Sequence, residues 1–342
     1  MDHRFTEAYD SDMTSTALDL SNMGTVANTL ALLLFLPLVS ALNCQNFTLP
    51  IQIAARNGVF SVSAPQNAID VTNFALALGQ QGQNYSQSVL QGYETVTGSY
   101  NIAATHCAPD GGRGSVLQIL THGIGFDRSY WDLPFNDFNY SYVATAVERY
   151  GYSTLTWDRL GIGMSSHGDP VAEIQAPLEQ AALVALTQYA RSYMSKGRPA
   201  LYSKVVHVGH SFGSILTYSM AHGNPSLSDG LVLTAFAQNG TFFPFFNYGA
   251  NLIPATTLTS DYEAGYLAAG NEAALQTMFF APGQFDPSIL PFTYSTAQPV
   301  AIGELLTIGG DTYRQQPVLW TRRCYHGGAR HTILWRRLFC DW

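Results

Sequence analysis

Val205-Val206-His207-Val208-Gly209-His210-Ser211-Phe212-Gly213-Ser214-Ile215-Leu216-Thr217-Tyr218 sets a short apolar run, a G-x-S-x-G pentapeptide and a second apolar segment in succession. The pattern reads as a buried strand, a sharp turn and a helix. A serine at the apex of such a turn is held on strained backbone with its hydroxyl in the open, and bulkier residues than Gly209 and Gly213 would clash with strand and helix. An ordinary Gly-rich connection is the alternative reading. The strand before and the helix after favour Ser211 as a nucleophile.

Two upstream segments extend the argument. Residues 116–121, Val-Leu-Gln-Ile-Leu-Thr, form a near-continuous apolar run expected of a strand covered on both faces, and they lead into His122-Gly123-Ile124-Gly125. A glycine-flanked loop at a strand end lets backbone N–H groups approach a developing negative charge. The N–H of Ile124, paired with that of Phe212, is therefore the candidate oxyanion hole. Ser153-Thr154-Leu155-Thr156-Trp157 reads as another strand, followed by Asp158-Arg159-Leu160-Gly161-Ile162-Gly163-Met164-Ser165. Asp158 and Arg159 read as structural, an acid and a base that tie neighbouring loops together.

In this order, HG loop, D-R-x-G-x-G-x-S and G-H-S-F-G, the three stretches resemble the α/β-hydrolase (AB hydrolase-1) family, and within it secreted fungal members, over roughly residues 45–320. The resemblance implies a mostly parallel central sheet flanked by helices with an inserted lid. It also implies hydrolysis of ester or amide bonds through a serine nucleophile, served by an acid after a later strand and a histidine after the last one. Epoxide-hydrolase and peroxidase-like relatives share the fold, so fold alone does not fix the reaction. A serine at position 211 argues against the dehalogenase branch, which places Asp there.

Element order agrees with that architecture. An antiparallel pair is expected at 47–62 and 94–106, with a helical insertion around Phe74-Ala75-Leu76-Ala77-Leu78. Strands at 115–121, 153–157, 204–208 and 230–236 then alternate with helices around 138–150, 177–195 and 213–222, as a parallel sheet covered on both faces requires. Residues 237–312 break the alternation and are rich in Phe, Tyr, Pro and Gly, exemplified by Thr241-Phe242-Phe243-Pro244-Phe245-Phe246. They fit a lid whose aromatic residues line an apolar pocket or simply pack the lid.

At 342 residues and 46% hydrophobic, the chain is long enough for one large domain. A net charge of −8, with charged residues only 12%, offers no basic patch for nucleic acid before the last 22 residues. The expected partner is a small, apolar, ester-like substrate. No metal or cofactor is called for, since neither C-x-x-C nor H-E-x-x-H occurs. Nothing in the sequence speaks to oligomeric state.

The apolar run 29–39 ends in Val39-Ser40-Ala41, which has the length and the small residues of a signal peptide cleaved after Ala41. Residues 1–22 carry five acids and one arginine, the reverse of the expected basic start, so Met23 reads as the initiator of a 23–41 signal and 1–22 as an acidic extension. An uncleaved signal anchor in a membrane is the alternative. Sequons at Asn46, Asn84, Asn139 and Asn239 point to a glycosylated, secreted product. In an oxidising compartment Cys44 and Cys107 could pair, the alternative being two buried thiols.

The carboxyl end departs from the family pattern. Gln316-Pro317-Val318-Leu319 opens the strand that should carry the acid, yet residues 321–342 hold five of the 16 Lys and Arg with a single acid, and three of five tryptophans lie at or after Trp320. Such a break, without helical period, reads as an aberrant terminus produced by a frameshift or retained intron. His222, in the helix after Ser211, should face away from it. The last strand, the acid and the base would then be missing. The chain would be either a weak hydrolase or a catalytically dead binding protein on the same fold, with a signal-anchored membrane protein as a further alternative.

Overall fold

The structure is a computed structural model and describes residues 42–110, 112, 114–193, 202–237 and 240–309. The acidic extension 1–22, the signal segment 23–41, Asn239, His326, His331 and the tail 321–342 lie outside the described residues.

Strands β1 (Leu42–Phe60) and β2 (Leu90–Pro109) form a long antiparallel pair in which Ile51 sits opposite Tyr100. Leu49, Ile51 and Ile53 are buried while Pro50, Gln52 and Ala54 between them are exposed, the period-two signature of a strand with one covered face. Helices α1 (Ala68–Gly79) and α2 (Tyr85–Val89) fill the connection. Asn67 caps α1 by accepting from the N–H groups of Ile69 and Asp70, and Asn84 caps α2 through Gln87.

The chain then alternates β3 (Val116–Thr121), α3 (Tyr142–Ala144), β4 (Ser153–Trp157), α4 (Ala176–Tyr193), β5 (Lys204–His210), α5 (Phe212–Gly223) and β6 (Gly230–Thr234). The six-stranded sheet has the order β1-β2-β4-β3-β5-β6. β2 pairs with β4 antiparallel, and the remaining contacts, β4–β3, β3–β5 and β5–β6, are parallel. Among the described residues β6 is the outer strand, with Val232 43% exposed.

The central strands are rich in apolar residues because both faces are covered, and their polar members Gln118, Ser153, Thr154, Thr156 and His207 are buried with them. Leu117, Ile119, Leu155 and Val205 join the main core with Leu178, Leu186, Leu216 and Met220 of α4 and α5. Leu120 and Val208 point the other way, to Trp131, Val143 and Val147. The helix expected around 138–150 is present over its later part. Asn136, Asp137 and Phe138 take positive φ (50°, 51° and 58°), so regular structure starts only where Ser141 caps the Ala144 N–H, and it continues as a π-turn over Thr145–Arg149.

After β6 come α6 (Phe243–Gly249), β7 (Ile253–Pro254), β8 (Tyr266–Ala268), α7 (Glu272–Phe279), α8 (Ile289–Ser295), β9 (Val300–Ala301) and α9 (Ile302–Thr307). β7, β8 and β9 make a small antiparallel sheet of their own. Ala250, Leu275, Met278, Phe279, Phe280 and Ile289 form a separate apolar cluster against Phe126 and Phe135. Among the described residues no helix is long and apolar enough to cross a membrane.

Candidate active site

Ser211 stands between the carboxyl end of β5 and the first residue of α5, with φ 51° and ψ −118°. This is a region that L-residues enter only at an energetic cost of about 1–3 kcal/mol, recovered here by the surrounding framework. The Ser211 N–H donates to Thr234 O on β6 at 2.9 Å, and the Ser214 hydroxyl bonds the same carbonyl at 2.8 Å. The flanking glycines are fixed by space. A Cβ on Gly209 would lie 2.5 Å from Ser214 Cα, and one on Gly213 would lie 2.2 Å from Thr121 O at the end of β3.

The loop after β3 meets the turn from the side. A Cβ on Gly123 would come within 3.0 Å of Ser211 Cβ, so the loop approaches the serine as closely as a glycine backbone allows. His122 is fully buried: its Nε2 accepts the Arg159 N–H at 3.1 Å, and its Nδ1 bonds Gly123 O at 2.9 Å. An acceptor at Nε2 makes the ring neutral with its proton on Nδ1. Burial, then the nearby Arg159 charge, holds its pKa well below the ordinary value. Ile124 and Phe212 are both buried, and among the described residues no acceptor takes their N–H groups. Two unengaged buried donors next to an open serine are the chemistry an oxyanion requires.

His210 stacks on Tyr130, with ring centroids 4.6 Å apart, and its Nδ1 bonds Thr234 Oγ1 at 3.0 Å. That hydroxyl already donates to Gly209 O, so His210 is the donor. Burial lowers its pKa to about 4, and His207, buried within β5, falls to about 3. These histidines are structural. His222 is exposed in the last turn of α5. Among the described residues no histidine or carboxylate hydrogen-bonds the Ser211 hydroxyl, and His326 and His331 lie outside them.

Asp158 and Arg159 tie loops together. Asp158 pairs with the Arg128 guanidinium and accepts the N–H groups of Arg128 (2.9 Å) and Met164 (3.0 Å). Burial raises its pKa despite these bonds. Arg159, fully buried, pairs with Glu179 of α4 and Glu304 of α9. The sequence carried no sign of either glutamate partner, because α4 and α9 are remote in the chain.

A small cavity of about 20 Å³, room for about one water, lies beside the loop, lined by Ile124 and Gly125 and by Phe246, Ala250, Leu267 and Met278 of the segment after β6. No charged side chain lines it. Ser211 is not among its walls, but the two residues after Gly123 are. Gln298, also in the wall, bonds Tyr262 and Asp127, and its N–H donates to Gly125 O at 3.0 Å.

Away from the site, Cys44 and Cys107 face each other across β1 and β2 and are joined in a disulfide. Asn46 and Asn139 are exposed. Asn46 accepts from the Thr105 hydroxyl at 2.6 Å, and Asn84 serves as the cap of α2.

Among known protein families, residues 118–336 match the Alpha/beta hydrolase family. No curated protein sequence matches the chain. Solved structures similar to it include an esterase from Thermogutta terrifontis with malate bound, at 14% identity and TM-score 0.42, over 62% of this chain and 68% of that one. An alpha/beta hydrolase fold protein from Chitinophaga pinensis gives 14% and 0.42, over 64% and 70%. Est1E from Butyrivibrio proteoclasticus, with ferulic acid bound, gives 18% and 0.31, over 39% and 47%. The chain spans only 34% of epoxide hydrolase VrEH1 from Vigna radiata, at 16% identity and TM-score 0.29 over 40% of this chain. The family match takes in the loop after β3, the serine turn and everything between β6 and α9, more than half of the sequence, and the chain belongs to the alpha/beta hydrolase family.

Proposed function

We propose that the protein hydrolyses esters, or amides, of small apolar acids through Ser211. The observation that carries this reading is the serine at φ 51° with the free N–H groups of Ile124 and Phe212 beside it. Ser211 Oγ attacks the carbonyl carbon as its proton passes to a base, and the carbonyl electrons move onto oxygen, where Ile124 and Phe212 hold the charge. Collapse expels the alcohol or amine, which takes the proton. Water then repeats the sequence on the acyl-enzyme and releases the acid. The apolar, uncharged side chains around Ile124 support a neutral, apolar acyl or alcohol group, which the small cavity there must widen to admit.

The base is a histidine beyond residue 309 or it is missing. The charge break at 321–342 favours the second case: a hydrolase with weak turnover, or a binding protein that keeps the fold. Without a base, the oxyanion hole and binding alone leave about 10³–10⁴-fold over water. We also place the mature chain in the secretory pathway, supported by the apolar run 29–39, the sequons and the Cys44–Cys107 pair.

Reaction with a fluorophosphonate tests the reading. Stoichiometric labelling that disappears in Ser211→Ala supports a working serine hydrolase, and turnover of p-nitrophenyl butyrate by the same protein supports the substrate class. A folded chain that is neither labelled nor active is the binding protein.

A further inference from the structure

Arg159 touches both halves of the candidate oxyanion hole. Its Nη2 donates to Gly123 O at 3.4 Å, its backbone N–H holds His122, and its guanidinium carbon lies 4.8 Å from the centre of the Phe212 ring. Gly123 C=O and Ile124 N–H belong to one planar trans peptide, so donors that fix the carbonyl also fix the direction of the N–H opposite it. His122 Nδ1 and Arg159 Nη2 are those two donors. On the other side, the Phe212 ring packed against the guanidinium sets the position of the residue whose N–H is the second donor.

The far end of the guanidinium is clamped. Nη1 bonds Glu179 and Glu304, both fully buried, and Glu304 also accepts the Ala301 N–H at 2.7 Å. One cation faces two carboxyls. Burial and the neighbouring Glu304 push Glu179 well above the ordinary carboxyl range, although Arg159 opposes the shift. Among the described residues Arg159 Nε and one Glu179 oxygen have no partner. A buried ionic cluster with unpartnered atoms is seldom worth more than apolar side chains of the same volume. Its value here lies in orientation.

We propose that Arg159 is a positioning residue for the oxyanion hole, gripped by Glu179 and Glu304 so that it aims the Ile124 N–H through the Gly123 carbonyl and seats Phe212. The proposal rests on the assignment of Ile124 and Phe212 as the oxyanion donors. It links α4 and α9 to the geometry of the reaction.

The experiment compares wild type, Arg159→Lys and Arg159→Met in the full chain. Amide hydrogen exchange resolved by NMR and the kinetics of p-nitrophenyl acetate are measured on the same samples. In Arg159→Met, exchange at Ile124 and Phe212 should rise roughly tenfold or more while the amides of β3 and β5 keep wild-type protection. kcat should fall on the order of 10- to 100-fold with KM changed less than about twofold, as expected when donors are displaced but binding is kept. Arg159→Lys, which keeps the charge but cannot span both carboxyls and the carbonyl, should lie between the two. A folded Arg159→Met with unchanged exchange at Ile124 and Phe212 overturns the proposal, and so does a rise shared equally by β3 and β5, which would mark plain destabilisation. Should Arg159→Met not fold, the same two amides in Arg159→Lys decide. If wild type shows no esterase activity, the hydrolase reading has failed by itself, and the exchange data still settle what Arg159 holds.

Discussion

The backbone N–H of Arg159 donates to Nε2 of His122 across 3.1 Å, and this bond commits the ring to its neutral form. Protonation would set two donors face to face. His207 and His210, with values lowered to about 3 and about 4 by burial, are likewise built into the fold uncharged. Each folded value lies below the 6.5 of an unfolded histidine, so the unfolded chain binds protons that the native chain refuses. The stability these residues contribute is complete above pH 6.5 and is lost as pH falls toward their folded values. Urea unfolding should show a loss on the order of 2 kcal/mol for each of His207 and His210 between pH 7 and pH 5, with His122 adding in the same direction. A flat profile over that range would contradict the assignment.

Gly213 against the Thr121 carbonyl is the tightest packing at the site. Gly213→Ala should cost several kcal/mol, because β3 and α5 must separate to admit a methyl group that would otherwise sit 2.2 Å from a backbone oxygen. Gly223→Ala, in the last turn of the same helix, meets nothing nearer than Gln180 Nε2 at 3.7 Å. It should be neutral or gain up to about 1 kcal/mol. Thermal melts of the pair check the contrast.

Ser211 sits on strained backbone. Ser211→Gly removes the Cβ that disfavours φ 51° and should raise stability by about 1–2 kcal/mol while abolishing phosphonate labelling. A destabilised Ser211→Gly chain would mean that the turn is not strained.

Cys44 and Cys107, 63 positions apart, close a loop around the β1–β2 pair. Loop-closure entropy sets an upper limit of about 4 kcal/mol for the cross-link. Strand pairing already restrains the ends, so Cys44→Ser/Cys107→Ser should lose less, about 2–4 kcal/mol, measured as a lower urea midpoint at unchanged m-value.

The tail 321–342 is expected to supply no base. His326→Ala and His331→Ala should then leave the phosphonate labelling rate unchanged. A loss of about 100-fold or more in either variant would identify that histidine as the general base and restore a complete catalytic set.

Local chemistry explains what could be read in advance. The apolar runs at 116–121 and 205–208 announce strands covered on both faces, and Gly209, Ser211 and Gly213 announce the turn, because each signal lies within a few consecutive residues. The helix expected around 138–150 starts a few residues late because Asn136, Asp137 and Phe138 take left-handed backbone, which Asn and Asp favour but which the bulky Phe138 does not announce. The grip on Arg159 was invisible for a different reason. Glu179 is 20 positions away and Glu304 is 145, and neither stands out among 24 acidic residues until the chain is folded. The sequence by itself determined the strand–turn–helix unit and the loop that meets it. Only the tertiary structure decided which buried charges hold that loop, because a buried ion pair is specified by three-dimensional proximity and not by spacing along the chain.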